Sequence, residues 1–171
     1  MTREEVHFIH ISDTHIGPTR DFCFHGLEPL PSTELIVDKI NNLPMRPDFV
    51  VHTGDVVAGP DPDSYKLAAE SFSKLNVPIY FVTGNHDTSR YIRRFLPLGP
   101  RKEVSDDEDL LSYTFDLKGF RFVAIDARGP DEIDPHGIVP AGQLDFMRHL
   151  VQADSSDLAV FIHFPALKLG S

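Results

Sequence analysis

Hydrophobic segments of this sequence are repeatedly followed by residues that can bind a metal ion or transfer a proton. Four such segments lead into "SDTH", "TGD", "TGNHD" and "HFP". The reactive side chains are those of Asp13, His15, Asp55, Asn85, His86, Asp87 and His163. Each motif alone also occurs in ordinary turns and loops, although the polar run in "GNHD" is hard to explain by packing. Together, each directly after a hydrophobic segment, they predict one shared site.

The donor atoms of these residues indicate the kind of metal. Carboxylate, amide and imidazole donors without thiolate are typical of sites for Mn, Fe, Zn or Co, and not of structural zinc sites built from cysteine. A carboxylate has two oxygens, so one aspartate can bridge two ions. Two ions about 3.5–4 Å apart form the clamp used in phosphoryl displacement. In an extended segment, residues i and i+2 point the same way, so Asp13 and His15 are expected to bind one ion.

The remaining sequence predicts the elements that position these residues. Short apolar runs predict strands, and apolar residues at helical spacing predict helices. The predicted strands are 6–12, 48–53, 77–83, 112–117, 120–127 and 158–164, and the predicted helices are 32–43, 63–75 and 141–153. Ser32 is the expected cap of the first helix, and Lys118-Gly119 is the expected turn of a hairpin. The charged run 101–111 is expected to be a solvated loop.

The order of these elements predicts the fold class. Alternating strands and helices favour a largely parallel α/β sheet with right-handed crossovers and helices on its faces. The hairpin adds an antiparallel component. Since such sheets bind ligands beyond the carboxyl ends of their strands, the motifs above should meet at one edge.

The motifs described above, taken in order, resemble those of a known family. The series "DTH … GD … GNHD … H" resembles the calcineurin-like metallophosphoesterases, and especially the bacterial class III cyclic-nucleotide phosphodiesterases and glycerophosphodiesterases. The resemblance runs from residue 6 to the last residue, through "RPDFVVHTGD", "VPIYFVTGNHD" and "HGIVPAGQLDFM". It implies a four-layered α/β/β/α sandwich with mixed sheets and a site for two metals at the strand ends.

The resemblance also implies a role for each residue. Asp13 and His15 would bind the first metal, Asp55 would bridge both, and Asn85 and His163 would bind the second. A hydroxide held between the metals would attack phosphorus in line.

Two further residues would act without binding metal. His86 would lie over the phosphate, where it would stabilise the developing charge or protonate the leaving oxygen. Asp87 would support it, either by orienting His86 or by holding the loop.

The sequence departs from the family pattern in two ways. Phe164 stands where relatives often have a second histidine, and the downstream Gly-His-x-His motif is absent. We therefore expect residues 1–171 to be a single phosphoesterase domain that is incomplete at its C-terminal end, with three protein ligands for each metal. Among other histidines, His10 and His52 are expected inside strands and His25 in a loop; His136, also in a loop, is the better candidate to approach the site, and a surface position is its alternative.

Composition excludes several function classes. The formal net charge of −10 disfavours binding to nucleic acid. The sequence has no apolar run of about 20 residues and no N-terminal apolar region typical of a secretory signal. The single cysteine, Cys23, cannot form an internal disulfide, and we interpret it as an ordinary packed or loop thiol. We expect a cytoplasmic protein that acts on a small phosphoester, does not bind membranes, and has a homodimer as one option for assembly.

Two hypotheses of different classes follow. The first is a dimetal phosphodiesterase with cyclic nucleotides such as cAMP as substrates, or else a glycerophosphodiesterase or phosphomonoesterase. The second is a degenerate metal-binding scaffold without turnover, which the absent histidines favour and the intact Asn85-His86-Asp87 opposes.

Overall fold

Strands and helices alternate through the first half of the chain, as the sequence predicts. The computed structural model describes residues 4–129, 137–153 and 157–165. The strands are β1 (Phe8–Ile11), β2 (Phe49–His52), β3 (Ile79–Phe81), β4 (Lys102–Glu103), β5 (Tyr113–Leu117), β6 (Phe120–Ala124) and β7 (Asp157–Phe161). The helices are α1 (Pro29–Asn41), α2 (Pro62–Phe72), α3 (Ser89–Phe95) and α4 (Ala141–Ala153).

The first sheet is parallel and has the order β1-β2-β3. Its central strand, β2, is buried along its whole length, as expected for a strand covered on both faces. The ring of His52 contacts that of Phe72 on α2, at a centroid distance of 5.6 Å. Helices α1 and α2 connect the successive strands of this sheet. Helix α2 contacts both α1 and α3, so the three helices form one layer on the side of the sheet where His52 meets Phe72.

The second sheet is mixed and has the order β4-β5-β6-β7. Strands β4, β5 and β6 pair antiparallel, and β7 pairs parallel to β6. The turn between β5 and β6 is Lys118-Gly119, with φ angles of 50° and 79°. Left-handed backbone at both positions is the signature of a two-residue type I′ turn, and the predicted hairpin is confirmed.

Aromatic rings fill the space between the two sheets. Phe49 on the first sheet contacts Phe115 and Phe122 on the second at centroid distances of 5.2 and 5.1 Å. Tyr80 stacks on Phe115 at 3.6 Å. On the outer face of the second sheet, Gln143 of α4 donates to the carbonyl of Asp126. The layers therefore run helix, sheet, sheet, helix, which confirms the expected four-layered sandwich.

Several boundaries differ from those predicted. Helix α1 begins at Pro29, so the expectation that Ser32 caps it is wrong; Ser32 lies inside the first turn and donates to the carbonyl of Glu28. A proline in the first turn lacks only an N–H that has no helical partner there, which explains the earlier start. Most strands end one to three residues earlier than predicted, and the segments that follow β1, β2, β3 and β7 lead to the site.

Two elements were not predicted. Helix α3 is short, and β4 lies within the run expected to be only a loop. Strand β4 forms because Lys102 and Glu103 pair with β5, and Arg93 and Arg101 hold the Glu103 carboxylate at 2.8 and 2.6 Å. Across the described ranges, no helix combines the length and the apolar character needed to cross a membrane.

Candidate metal centre

The carboxyl ends of four strands meet at one edge of the sandwich. The segments after β1 and β2 are joined by hydrogen bonds from the backbone N–H of Asp13 to the carbonyl of Gly54 and from that of His15 to the carbonyl of Asp55, at 3.0 and 3.1 Å. His163 follows β7 of the other sheet, and its Nδ1 lies 2.8 Å from the carbonyl oxygen of Thr53. The expectation that the motifs share one edge is confirmed.

Left-handed backbone at three residues creates the shape of the site. Asp13, His15 and Asp55 have φ angles of 56°, 45° and 56°. The expectation that Asp13 and His15 meet because their segment is extended is therefore wrong, although their side chains do come together. This conformation costs roughly 1–3 kcal/mol for a residue other than glycine, and it persists only where the surrounding structure holds it in place.

Asp55 lies at the middle of the cluster. Its Oδ2 is 3.9 Å from Nε2 of His15 and 3.6 Å from Nε2 of His163. Nε2 of His15 is also 3.8 Å from Oδ1 of Asp13, and Nε2 of His163 is 3.2 Å from Oδ1 of Asn85. Ligand atoms of Asp13, Asp55 and His163 all lie within 4.8 Å of one another. All five predicted ligands are thus brought together.

These distances fit metal ions. Two ligand atoms that lie about 2.1 Å from one ion in tetrahedral geometry are separated by about 3.4 Å. The observed separations of 3.2 to 3.9 Å are close to that value. Burial lowers the pKa of His15, with the carboxylate of Asp55 opposing the effect, and a lowered pKa favours the neutral imidazole that metal binding requires. The donor set therefore suits divalent ions, with Asp55 positioned between two groups of ligands.

His86 lies beside this cluster. Its Nδ1 is 2.9 Å from the carbonyl oxygen of Ala58, and its ring centre is 4.9 Å from that of His15. Its ligand atom, with those of His15 and Asp55, forms a second group within 4.8 Å. The geometry thus allows His86 either to face a substrate or to bind metal, and its expected role outside the ligand set stays a prediction.

Asp87 holds the loop that carries Asn85 and His86. Its buried carboxylate accepts hydrogen bonds from the N–H groups of Gly84 and Val56, at 3.0 and 3.1 Å. Burial raises the pKa of Asp87 to about 6, against the opposing effect of these N–H donors. Since the ring of His86 is bonded to Ala58 instead, these contacts favour the second alternative for Asp87, that it holds the loop.

Two glycines allow the loops to approach closely. A Cβ atom on Gly84 would lie 2.2 Å from Oδ1 of Asp55, which is too close for any side chain. Gly54 has a φ angle of +105°, and a Cβ atom there would lie 2.7 Å from Nδ1 of His163. The glycine in "TGD" therefore makes room for His163, and the glycine in "TGNHD" makes room for the carboxylate of Asp55.

The structure also shows where most of the other candidate histidines lie. His10 and His52 lie inside β1 and β2 as predicted, where their Nε2 atoms bond to the hydroxyls of Thr53 and Thr14, at 2.7 and 2.9 Å. His25 is exposed in a loop, and Cys23 is also exposed. His136 lies outside the described residues.

Sequence reasoning missed two residues near the site. Asp126 follows β6 and is buried, and Arg128 lies two residues further, where its Nε donates to the carbonyl of Asn85 at 3.5 Å. The signal that found the other residues, a polar side chain directly after an apolar strand, was present in "FVAIDAR".

Two known phosphodiesterases are similar to this chain along most of its length. Glycerophosphodiester phosphodiesterase GpdQ of Enterobacter lignolyticus is 29% identical over 164 residues, covering 95% of this chain and 58% of the relative. The 3′,5′-cyclic adenosine monophosphate phosphodiesterase CpdA of Pseudomonas aeruginosa is 26% identical over 171 residues, covering 99% of this chain and 59% of the relative. The chain thus spans about three fifths of the length of these two relatives.

A third relative covers less of the chain. The DNA double-strand break repair protein Mre11 of Methanococcus maripaludis is 32% identical over 105 residues, which are 58% of this chain and 28% of that protein. The family model described as calcineurin-like phosphoesterase matches residues 6–164, which include all seven predicted site residues. This chain belongs to the calcineurin-like phosphoesterase family.

Proposed function

We propose that this chain binds two metal ions and hydrolyses phosphodiesters, with 3′,5′-cyclic nucleotides such as cAMP as substrates. The observation that carries the proposal is the position of Asp55, whose Oδ2 faces His15 on one side and His163 on the other, at 3.9 and 3.6 Å. A carboxylate so placed is suited to bridge two ions. The similarity to two phosphodiesterases supports the reaction class.

The ligands divide into two sets that share Asp55. Asp13 and His15 would hold one ion, and Asn85 and His163 would hold the other. Two such ions, of Mn, Fe, Zn or Co, would lower the pKa of a water molecule and withdraw charge from the phosphate oxygens. Asp13 is the most exposed ligand, with 53% of its side chain accessible, so its ion lies on the open side of the site.

His86 would transfer the proton that the leaving oxygen needs. Because the carbonyl of Ala58 can only accept, Nδ1 of His86 carries a hydrogen, and Nε2 is the atom that exchanges a proton. The backbone N–H of His86 also donates to Oδ1 of Asp55 at 2.9 Å. Asp87 would act by fixing the loop that carries Asn85 and His86.

Glycerophosphodiesters are the second candidate substrates. The similarity to GpdQ is at least as high as that to CpdA, at 29% against 26% identity. Nucleic acids are disfavoured, since a net charge of −10 repels a polyanion. The cytoplasmic location and a homodimer also stay predictions, and light scattering after size-exclusion chromatography tests the second.

One experiment tests the proposed function. Purified protein is analysed for bound metal and is then assayed with Mn²⁺, Zn²⁺ or Co²⁺ on cAMP, cGMP, a glycerophosphodiester, bis(p-nitrophenyl) phosphate and p-nitrophenyl phosphate. We expect about two metal ions per chain and hydrolysis of the diesters. Bound metal without hydrolysis of any ester would favour the scaffold hypothesis, and hydrolysis of the monoester alone would make the protein a phosphomonoesterase.

A further inference from the structure

Arg128 brings a positive charge to the edge of the metal centre. It follows β6, and its Nε donates to the carbonyl of Asn85, one of the candidate ligands, at 3.5 Å. A guanidinium has five N–H donors, so it can bond to that carbonyl and to an anion at the same time. Nothing in the family motifs of this sequence includes Arg128.

A buried carboxylate determines where Arg128 lies. Oδ1 of Asp126 accepts the backbone N–H of Arg128 at 3.1 Å, while Oδ2 accepts the N–H of Leu111 at 2.8 Å. Only 2% of Asp126 is exposed. The backbone turn at Arg128 is therefore held by a buried carboxylate that also bonds to Leu111.

The same carboxylate also holds the loop of Asn85 and His86. Oδ2 of Asp126 accepts from the hydroxyl of Thr83 at 3.2 Å and from that of Ser89. Thr83 precedes this loop and Ser89 follows it. Asp126 thus fixes both ends of the metal-site loop and the turn with Arg128 in one arrangement.

The negative charge of the chain creates a need for a cation near the site. The net charge of −10 and the carboxylates of Asp13 and Asp55 repel an anionic substrate. A guanidinium beside Asn85 is suited to a phosphate because its planar N–H groups match two oxygens.

We propose that Arg128 binds a non-reacting anionic oxygen of the phosphoester and that Asp126 is its positioning residue. This inference rests on the proposed function. It assigns the recognition of the phosphate group partly to a side chain and not to metal ions alone. A role for Arg128 as a tie that only holds the Asn85 loop is the competing explanation.

The test compares Arg128→Ala and Arg128→Lys with Arg121→Ala, which removes an arginine near the start of β6, the strand that Arg128 follows. For each protein, metal content, kcat and KM for bis(p-nitrophenyl) phosphate, and Kd for inorganic phosphate are measured. We expect Arg128→Ala to raise KM and the phosphate Kd about 10- to 100-fold, the range for a charged hydrogen bond, with metal content unchanged. Arg128→Lys should recover part of the loss, and Arg121→Ala should match the wild type.

The outcomes separate this inference from the proposed function. If the wild type hydrolyses the diester and Arg128→Ala keeps the same KM and phosphate Kd, the inference is wrong and the function stands. Loss of metal from Arg128→Ala would show that Arg128 only holds the Asn85 loop, and this result would also overturn the inference. If the wild type binds phosphate without turnover, the phosphate Kd of the Arg128 variants alone decides whether the inference holds. If the metal-loaded wild type neither hydrolyses the diester nor binds phosphate, both the inference and the proposed function fail.

The positioning role of Asp126 is tested by a double-mutant cycle. Asp126→Asn should raise KM at least as much as Arg128→Ala does, and the two effects should be less than additive in the double variant, because part of the effect of Asp126 passes through Arg128. If Asp126→Asn does not fold, Thr83→Val, which removes a single donor to Asp126, takes its place. Effects that simply add would show that Asp126 does not act through Arg128.

Discussion

The carboxylate of Asp55 accepts the backbone N–H of His86 through Oδ1, at 2.9 Å. Its other oxygen, Oδ2, faces the imidazoles of His15 and His163. The residue expected to bridge the metals therefore also fixes the residue expected to transfer the proton. A change at Asp55 should disturb both parts of the site, whereas a change in the ring of His86 should disturb only one.

Asp55→Asn should abolish the binding of both metals, since an amide offers one neutral oxygen in place of two charged ones. Elemental analysis of the purified variant checks this expectation. Asp48→Asn is the matched control, because Asp48 precedes the same strand at the opposite end and pairs with Lys118. Normal metal content in Asp55→Asn would contradict the bridging assignment.

His86→Ala should keep its metal and lose turnover by about 10²–10⁴-fold, the usual range for a general acid or base. Steady-state kinetics and metal analysis are measured on the same preparation. His149→Ala, which changes an exposed histidine on α4, serves as control. Loss of a metal ion would instead place His86 among the ligands, and an unchanged kcat would remove it from the mechanism.

Gly84→Ala should reduce metal affinity and stability together, because the new Cβ atom would lie 2.2 Å from Oδ1 of Asp55. Isothermal titration with Mn²⁺ and urea unfolding measure the two effects. Gly59→Ala is the control, since no atom lies within 4 Å of its Cβ position. Equal metal affinity in the two variants would show that Asp55 can move without consequence.

His52 should make the metal-free protein less stable in acid. Burial lowers the pKa of His52 to about 3, whereas an unfolded histidine has a pKa of about 6.5. Between these values the unfolded state binds a proton that the folded state does not. The free energy of unfolding should therefore fall as pH falls below 6.5, by up to about 1.4 kcal/mol per pH unit from this residue.

Urea unfolding in EDTA between pH 4.5 and 7 measures this dependence. His52→Gln can keep a bond to the hydroxyl of Thr14 and cannot be protonated, so its stability should depend less on pH than that of the wild type. His7→Gln, at an exposed position, should leave the dependence unchanged. Identical pH dependence in the wild type and His52→Gln would show that another group is responsible.

The sequence predicts which residues gather at this edge because their signal is local. An apolar strand followed by Asp, Asn or His is visible without any knowledge of tertiary structure, and parallel topology then places those residues at one edge. The left-handed backbone of Asp13, His15 and Asp55 was not predictable in the same way. It depends on hydrogen bonds between loops that follow different strands, such as that from Asp13 to Gly54.

The parts of the fold that were missed depend on distant partners. Helix α3 is only seven residues long, and its sequence "SRYIRRF" has too few apolar positions for a clear helical period. Strand β4 exists because β5 pairs with it. Asp126 had the same local signal as the ligands, but its neighbours Thr83, Ser89 and Leu111 come from segments that only the fold brings together.

The position of His163 makes the site a late product of synthesis. This residue is separated by 110 residues from Thr53 and by 78 from Asn85, its two hydrogen-bond partners. At roughly 5–20 residues per second, a ribosome needs about 4–16 s to add the 78 residues from Asn85 to His163. During that interval the growing chain contains Asp13, Asp55 and Asn85 but not His163, so the proposed metal centre can be completed only after β7 has been synthesised.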